Sequence, residues 1–509
     1  MFARIKTVAF NGIEAEDVDV QVHFATGQPG LSIVGLANKS VVEARDRIRS
    51  ALSFMGLSLP PKRITINLAP ADIQKDGNHY DLPIALGILI CMGILDQSTI
   101  EKYVCLGELS LDGKLNYVSG VLPASIHALS RNLGMICPEE SGSEAVCAGE
   151  ELDVIAADSL MSLINFFAER QNIARPELVI LSGESEVLNH QAFDMKDVRG
   201  QKTAKRALKI AAAGGHNVLM VGLPGSGKSM LAQRFITILP PLEIHEMLEV
   251  SMIASISGNL KKHKISNVRP FRSPHHSCSM PSMVGGGRFA KPGEISLAHN
   301  GVLFLDEFAE FPRQVLDSLR QPMEVGKISI ARVDKHVTYP AKFQLIAAMN
   351  PCKCGYLGDT AKECSKVPFC GAEYKQKISG PILERIDIHL DVNPVVYIGN
   401  NKIDDIVEES SQQMLDEVVR VRKLQSARFE NQNTLNRDMN GDQLQMFCKL
   451  DAESTEIIEK FVSRFNISMR EYHKILRVSR TIADLDEVVD IKKNHLLEAF
   501  QYRSSIHVK

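Results

Sequence analysis

The first third of the chain alternates apolar and polar residues in short runs. Lys6–Phe10, Val18–Phe24 and Leu31–Val34 have the period of two that predicts strands, and Thr26-Gly27-Gln28-Pro29-Gly30 supplies a turn between the last two. The period then lengthens. Val41, Val42, Ile48 and Leu52 recur at helical spacing behind Asn38, a capping residue, and the run ends near Gly56. Ile64–Leu68 alternates again. The longest apolar run, Leu82 to Leu95, contains Pro83, Gly87 and Gly93. It falls short of the roughly 20 apolar residues a bilayer requires, so a buried helix and no membrane association are expected. Residues 1–170 therefore predict an α/β or α+β domain. Residues 171–195 show no strong period and predict a linker. Residues 196–400 predict a second α/β domain. Residues 401–509 are almost wholly helical, with one long amphipathic helix expected over Ile403–Phe429 and a polar break over Glu430–Gly441.

Within the second domain, Gly222-Leu223-Pro224-Gly225-Ser226-Gly227-Lys228-Ser229 fits the pattern G-x-x-x-x-G-K-S/T. Asn217–Val221 before it reads as a strand and Met230–Ile238 after it as a helix, the context that the pattern requires. Glycines let the backbone N–H groups turn toward phosphate oxygens, and the helix N-terminus adds partial positive charge. Gly222, Gly225, Ser226, Gly227, Lys228 and Ser229 are thus the candidate nucleotide ligands. Lys228 would reach the β and γ phosphates of ATP, and Ser229 would offer its hydroxyl to Mg²⁺. The competing reading is a structural glycine turn. Gly301-Val302-Leu303-Phe304-Leu305-Asp306-Glu307 is a buried apolar strand ending in two carboxylates. Asp306 would hold the Mg²⁺ shell, and Glu307 would polarise the attacking water as general base.

Composition adjusts this picture in two places. The 509 residues carry 58 Lys and Arg against 61 Asp and Glu, a net charge of −3, which excludes a uniformly basic protein. Charge is nevertheless uneven. Between Gly258 and Gly293 there are seven Lys and Arg (Lys261, Lys262, Lys264, Arg269, Arg272, Arg288, Lys291) and no Asp or Glu, with Gly285-Gly286-Gly287 expected to give mobility. This insert reads either as a solvated basic loop or as a surface for a polyanion. Ten Cys behind an N-terminus without a charged-then-apolar leader predict a reducing, cytoplasmic compartment. Six are scattered singly. Cys352, Cys354, Cys364 and Cys370 cluster, and they read as a Zn²⁺ site, as free thiols or as a disulfide.

Further motifs carry a resemblance. They are Asp197-Val198-Arg199-Gly200-Gln201 before the helix Thr203–Ala213, Arg272-Ser273-Pro274-His275-His276, and Lys291-Pro292-Gly293-Glu294-Ile295-Ser296-Leu297-Ala298-His299. To these add the strand Phe343–Met349 ending in Asn350-Pro351, Ser379-Gly380-Pro381-Ile382-Leu383-Glu384-Arg385-Ile386-Asp387, and Ser468-Met469-Arg470 opening a late helix. Together they make the chain resemble magnesium-chelatase-like AAA+ ATPases of the YifB/ComM type over nearly its whole length. The resemblance implies a P-loop AAA+ parallel-sheet core with a C-terminal helical lid. It implies that Asn350 is a sensor beside the γ-phosphate, Arg385 an arginine finger reaching a neighbouring subunit's ATP, and Arg470 a second sensor on the lid. Glu384 departs from the Asp of many relatives. From the residues alone, Arg385 is alternatively an internal partner of Asp387. The resemblance further implies a homo-oligomeric ring, a hexamer. It also implies a hairpin, Lys327–Arg332 and Val337–Tyr339, that turns Arg332 and Lys335 toward DNA in a central channel.

The N-terminal domain resembles the proteolytic domain of Lon-type proteases, an α+β, ribosomal S5 domain 2-like fold. Lys75-Asp76-Gly77-Asn78-His79-Tyr80-Asp81 places His79 where that family has its nucleophilic Ser. By the pattern around Gly107-Glu108-Leu109-Ser110-Leu111, the catalytic Lys falls at Leu122. Without either group the expected role is ring assembly or DNA contact, with His79 as a lesser candidate for a substitute catalyst. The expected function is ATP-driven branch migration or helicase action on single-stranded or branched DNA, in recombination or natural transformation. The alternatives are a remodeller of protein partners, an ATP-dependent protease, and the ATPase subunit of a magnesium chelatase. The last is disfavoured by an N-terminal domain taken to be absent from such subunits.

Overall fold

Strands Phe2–Asn11 and Glu14–Ala25 pair antiparallel, from Phe2 opposite His23 to Asn11 opposite Glu14. Both run beyond the stretches that alternation predicts, because each continues as far as its partner offers backbone groups. The computed structural model describes residues 1–178, 180–181, 193–260, 265–287, 290–331, 336–357, 364, 369–394, 408–430, 434–465 and 467–503.

The N-terminal sheet has seven strands, in the order Gly30–Val34, Arg63–Ala69, Glu14–Ala25, Phe2–Asn11, Tyr103–Cys105, Gly134–Pro138, Val154–Ala157. Ile64, Ile66 and Leu68 are buried on one face. The helix Lys39–Phe54 packs with that core through Val41, Ala44, Ile48 and Leu52, and Asn38 caps it by accepting the Lys39 N–H at 2.8 Å. The long apolar run is the helix Asp81–Cys91, in which every residue but Ile90 is buried. Each Leu or Ile so buried contributes about 1.5–3 kcal/mol of transfer free energy. Gly87 lets it close on the sheet, since a Cβ there would lie 2.6 Å from Val22 Cγ2. No helix among the described residues is long and apolar enough to cross a membrane.

The segment expected as a linker is not featureless. Ile180–Leu181 pairs in parallel with Ile265–Ser266. Beyond it lies a sheet of five parallel strands, in the order Phe271–Arg272, Val302–Leu305, Gln344–Met349, Val218–Val221, Ile388–Asp391. Val302–Leu305 and Gln344–Met349 are buried at every position, the pattern of a parallel sheet covered on both faces. Because the strands are parallel, their carboxyl ends at Val221, Leu305 and Met349 open at one edge of the sheet, where a ligand crevice is expected.

The long lid helix begins later than its periodicity predicts. It spans Ser411–Phe429, because Ser410 caps it and forms a reciprocal capping box with Gln413. The residues from Ile403 to 407 lie outside the described ones. Arg422 reaches back from this helix to donate to Ala212 O at 3.0 and 2.7 Å, and Gln425 donates to Ala213 O at 3.1 Å. These are terminal carbonyls of the helix Lys202–Gly214, so the lid caps the helix it packs on.

The insert differs from expectation. Gly285–Gly286 pairs antiparallel with Lys291–Pro292. A Cβ on Gly285 would lie 2.5 Å from Lys291 O and 2.7 Å from Ile330 Cδ1, so this glycine serves close packing rather than mobility. Arg272 forms a two-bond ion pair with Glu294 at 2.6 and 2.7 Å. Arg269 does the same with Glu246 at 3.1 and 2.7 Å and also donates to Asn300 O. Neither is a free cation of a DNA surface, a correction that a count of residue types misses. Lys291 is exposed. Lys261, Lys262, Lys264 and Arg288 lie outside the described residues. The expected hairpin is Lys327–Ala331 paired with His336–Pro340, and Arg332 and Lys335 likewise fall outside the described residues.

Contacts between the two α/β parts among the described residues include two of note. Leu122 packs with Leu242, Met247 and Ile265, and the turn residue Gly12 sits against Val337 and Thr338 of the hairpin.

Candidate functional site

The strand Val218–Val221 ends at Gly222, and the helix Lys228–Phe235 begins six residues later. Between them Gly225 and Gly227 adopt φ of +78° and +92°, a turn that L side chains resist. A Cβ at either would meet open space, whereas one at Gly222 would strike Val392 O at 2.3 Å. The loop is thus open at Gly225 and Gly227 and pressed at Gly222 against the chain just past the strand Ile388–Asp391.

Lys228 is 8% exposed, and its Nζ donates to Gly222 O at 2.7 Å, Leu223 O at 2.9 Å and Asn350 Oδ1 at 3.3 Å. Burial lowers its pKa, and Asp306 opposes that shift. Ser229 Oγ donates to Asp306 Oδ2 at 2.7 Å. Among the described residues, the buried Ser226 Oγ has no hydrogen-bond partner. A triphosphate suits this arrangement: an ammonium held only by neutral oxygens, an orphan hydroxyl, and a hydroxyl–carboxylate pair of the kind that holds Mg²⁺. Gly222, Gly225, Ser226, Gly227, Lys228, Ser229, Asp306 and Asn350 are therefore brought together, as sequence reading expects.

Glu307 follows Asp306 in a left-handed conformation, φ +51°, which directs it differently from its neighbour. Its Oε2 lies 2.8 Å from His276 Nδ1. His276 is a contact that sequence reading left without a role. It follows the strand Phe271–Arg272, which pairs with Val302–Leu305 just before Glu307, so strand pairing rather than residue spacing brings the two together. Gln201 is a second such residue. It donates to Ser226 O at 3.3 Å and to Asn393 O at 2.6 Å, joining the loop to the chain beyond the last strand.

Arg385 and Arg470 are not at this crevice. They line a separate cavity of about 620 Å³ with Glu324, Glu384, Lys474 and Arg477. Its walls include Asn217, Phe343 and Asp387, each directly before a sheet strand, at the amino ends. At about 3.3 Å per residue, a strand of four to six residues separates the two ends by roughly 13–20 Å. Arg385 pairs with Glu324 and donates to Pro381 O at 2.6 Å. The alternative partner, Asp387, is occupied elsewhere: Lys474 Nζ lies 3.1 Å away, and the Asn217 N–H donates to it at 3.0 Å. Burial would raise the Asp387 pKa, but Lys474 and His216 hold it well below the usual carboxylate range. Arg470 is 73% exposed, with Glu384 at 3.9 Å.

The cysteine cluster adjoins the crevice. The Sγ atoms of Cys352, Cys354, Cys364 and Cys370 all lie within 4.8 Å of one another. In the N-terminal domain, His79 is buried, lies 3.0 Å from Val8 O through Nε2, and has its pKa pushed by burial down to about 4. It packs on Phe10 and Tyr80 as a neutral core residue. Leu122 is fully buried against the second domain.

A family model described as "Magnesium chelatase, subunit ChlI" matches residues 194–398, and another described as "Magnesium chelatase, subunit ChlI C-terminal" matches residues 408–503. A third, "Subunit ChlI of Mg-chelatase", matches residues 20–141. The N-terminal domain thus does not set the chain apart from chelatase subunits, contrary to the expectation from sequence. The chain is 40% identical to the competence protein ComM of Haemophilus influenzae over 497 residues, covering 98% of this chain and 96% of that protein. It is 41% identical to the uncharacterized protein YifB of Escherichia coli over 500 residues, with the same coverages. A more distant likeness, 25% over 217 residues, covers 41% of this chain and 25% of the DNA replication licensing factor Mcm6 of Drosophila melanogaster.

Proposed function

We propose, since the chain belongs to the magnesium-chelatase-like AAA+ ATPases of the YifB/ComM type, that it is a ring-forming motor that couples ATP hydrolysis to movement on single-stranded or branched DNA. The observation that carries this reading is the separation of Arg385 from Lys228 across the sheet. An arginine at the amino ends of the strands is too far to serve the phosphate loop at the carboxyl ends of the same chain, which supports a role toward a neighbour's loop. Closure of such head-to-tail contacts makes a ring.

In this reading the loop N–H groups and Lys228 hold the phosphates, and Ser229 and Asp306 hold Mg²⁺. Glu307 takes a proton from the attacking water, and Asn350 orients that water. His276 holds the Glu307 carboxylate aside until substrate binding releases it. When bound, Mg²⁺ neutralises charge on the phosphates. Arg385 and Arg470, from the adjacent subunit, stabilise the transferring phosphoryl group. DNA contact falls to Lys261, Lys262, Lys264, Arg288, Lys291, Arg332 and Lys335, because Arg269 and Arg272 are held in internal ion pairs. The reading includes one Zn²⁺ per chain on the four clustered cysteines. A similar protein's name, competence protein, supports a place in DNA uptake and recombination.

The test is the ATPase rate with and without single-stranded and forked DNA, beside Lys228→Ala and Glu307→Gln. Stimulation of the wild type, abolished in both variants, is expected. DNA that neither binds nor stimulates would remove the DNA motor and favour a remodeller of protein partners.

A further inference from the structure

The clustered cysteines adjoin the nucleotide crevice at two points. Cys352 lies two residues past Asn350, whose side-chain oxygen accepts from Lys228. Gly355, at φ +86°, faces the phosphate loop so closely that a Cβ would stand 2.8 Å from Pro224 Cγ. Cys370 lies in the helix Phe369–Gln376, where Gly371 packs on Leu357 of the same loop. That helix is tied to the segment after Glu307. The adjoining Lys377 ammonium lies 5.1 Å from the ring centroid of the buried Tyr374 and 3.0 Å from Glu310. The chain then passes through Ser379, which donates to Asp317 at 2.8 Å, and on to Arg385. The cysteine loop is therefore the covalent connection between the sensor Asn350 and the arginine finger.

Its donor set suits a tetrahedral ion. Zinc–thiolate bonds of about 2.3 Å place sulfurs about 3.8 Å apart. Here Cys352 and Cys354 are 3.1 Å apart and all four sulfurs fall within 4.8 Å. Cys352, Cys364 and Cys370 are buried, while Cys354 is exposed. Among the described residues, Leu357 packs on Cys352, Cys364 and Cys370 in a small apolar cluster.

We infer that the zinc ion is a brace for the ATP site, so that zinc occupancy and nucleotide binding are linked. The inference rests on the zinc reading above. An ion joining Cys352 and Cys354 to Cys364 and Cys370 would fix the Gly355–Pro224 contact and the exit of Asn350, both of which flank the loop that would take the phosphates. Two ligands that order the same segment must each strengthen the other.

The experiment uses full-length protein purified under reductant without added zinc. Metal analysis comes first, with one zinc per chain expected. Zinc loss to a chromogenic chelator is then timed with and without a slowly hydrolysed ATP analogue and Mg²⁺. Saturating nucleotide should slow the loss by about fivefold or more. Reciprocally, zinc-stripped protein should bind a fluorescent ATP analogue about fivefold more weakly, and added zinc should restore the affinity. Asn350→Ala should still release zinc but with less protection by nucleotide. Cys354→Ser, which alters the exposed ligand, should lose zinc and weaken nucleotide binding. If that variant misfolds, stripped wild type answers the same question. Absence of zinc would remove the zinc reading itself. Zinc present, with neither its loss nor nucleotide affinity responding to the other ligand, overturns the linkage alone. A loss of affinity that added zinc does not reverse also counts against it.

Discussion

Lys228 and Glu307 each already have a partner within the chain. The ammonium is folded onto the carbonyls of Gly222 and Leu223, and the carboxylate lies against His276. Lys228→Ala should abolish detectable nucleotide binding by fluorescence titration. Glu307→Gln should bind nucleotide as wild type does but hydrolyse it about 10²–10⁴-fold more slowly, the range for loss of a general base. Retained turnover in Glu307→Gln would mean that another group activates the water. At this scale the sequence was readable because the chemistry is local: six of the candidate ligands lie between Gly222 and Ser229. Asp306 and Glu307 were readable because an apolar strand ends on them. His276 was not, because its approach to Glu307 depends on the pairing of two parallel strands, and residue spacing does not report which strands are neighbours.

Pairs of elements are joined by buried charges that periodicity does not reveal. Lys474, on the helix Met469–Leu485, meets Asp387 beside the finger segment with both side chains about one-tenth exposed. Lys474→Met takes the ammonium from a buried carboxylate that keeps the Asn217 N–H and His216, and should destabilise the protein by about 3 kcal/mol, measured by denaturant unfolding. A change below 1 kcal/mol would show that the pair does not hold the lid. Glu144 does a similar task between the two α/β parts. It accepts from the Leu122 N–H at 2.9 Å and from Ser255 Oγ, which itself accepts from the Gly120 N–H. Burial pushes Glu144 up to about 7, with those hydrogen bonds opposing. The folded state then holds a proton that the unfolded state has released between about pH 4.5 and 7. The contribution to stability is full below about pH 4.5 and is lost as pH rises through about 7. Thermal unfolding from pH 5 to 8 should therefore fall more steeply for wild type than for Glu144→Gln, and equal slopes would refute it. The strands and helices were legible because burial imposes periods of two and 3.6. The docking of Leu122 was not, because an apolar residue on a helix looks the same whether it faces its own core or another domain.

The whole molecule presents the two halves of its proposed active site on opposite edges of one sheet, and this yields a test of assembly. In a ring, each site would combine the phosphate loop of one subunit with Arg385 of the next. Arg385→Ala should bind ATP but turn over slowly, and Lys228→Ala should not bind it. Neither would work alone. Mixed in equal amounts and allowed to exchange, they create interfaces in which the intact loop of the first meets the intact arginine of the second. Random mixing gives about a quarter of such interfaces. ATPase activity should therefore reappear at up to about a quarter of the wild-type rate per subunit. Differently tagged subunits recovered together would prove that mixing occurred. Mixed particles without recovered activity would place Arg385 in a structural role, consistent with its pairing to Glu324. Recovered activity would mean that the separation of Arg385 from Lys228 is the geometry of a shared site. The net charge of −3 bears on the same assembly. A chain that is nearly neutral overall brings little net self-repulsion to the proposed assembly of several copies.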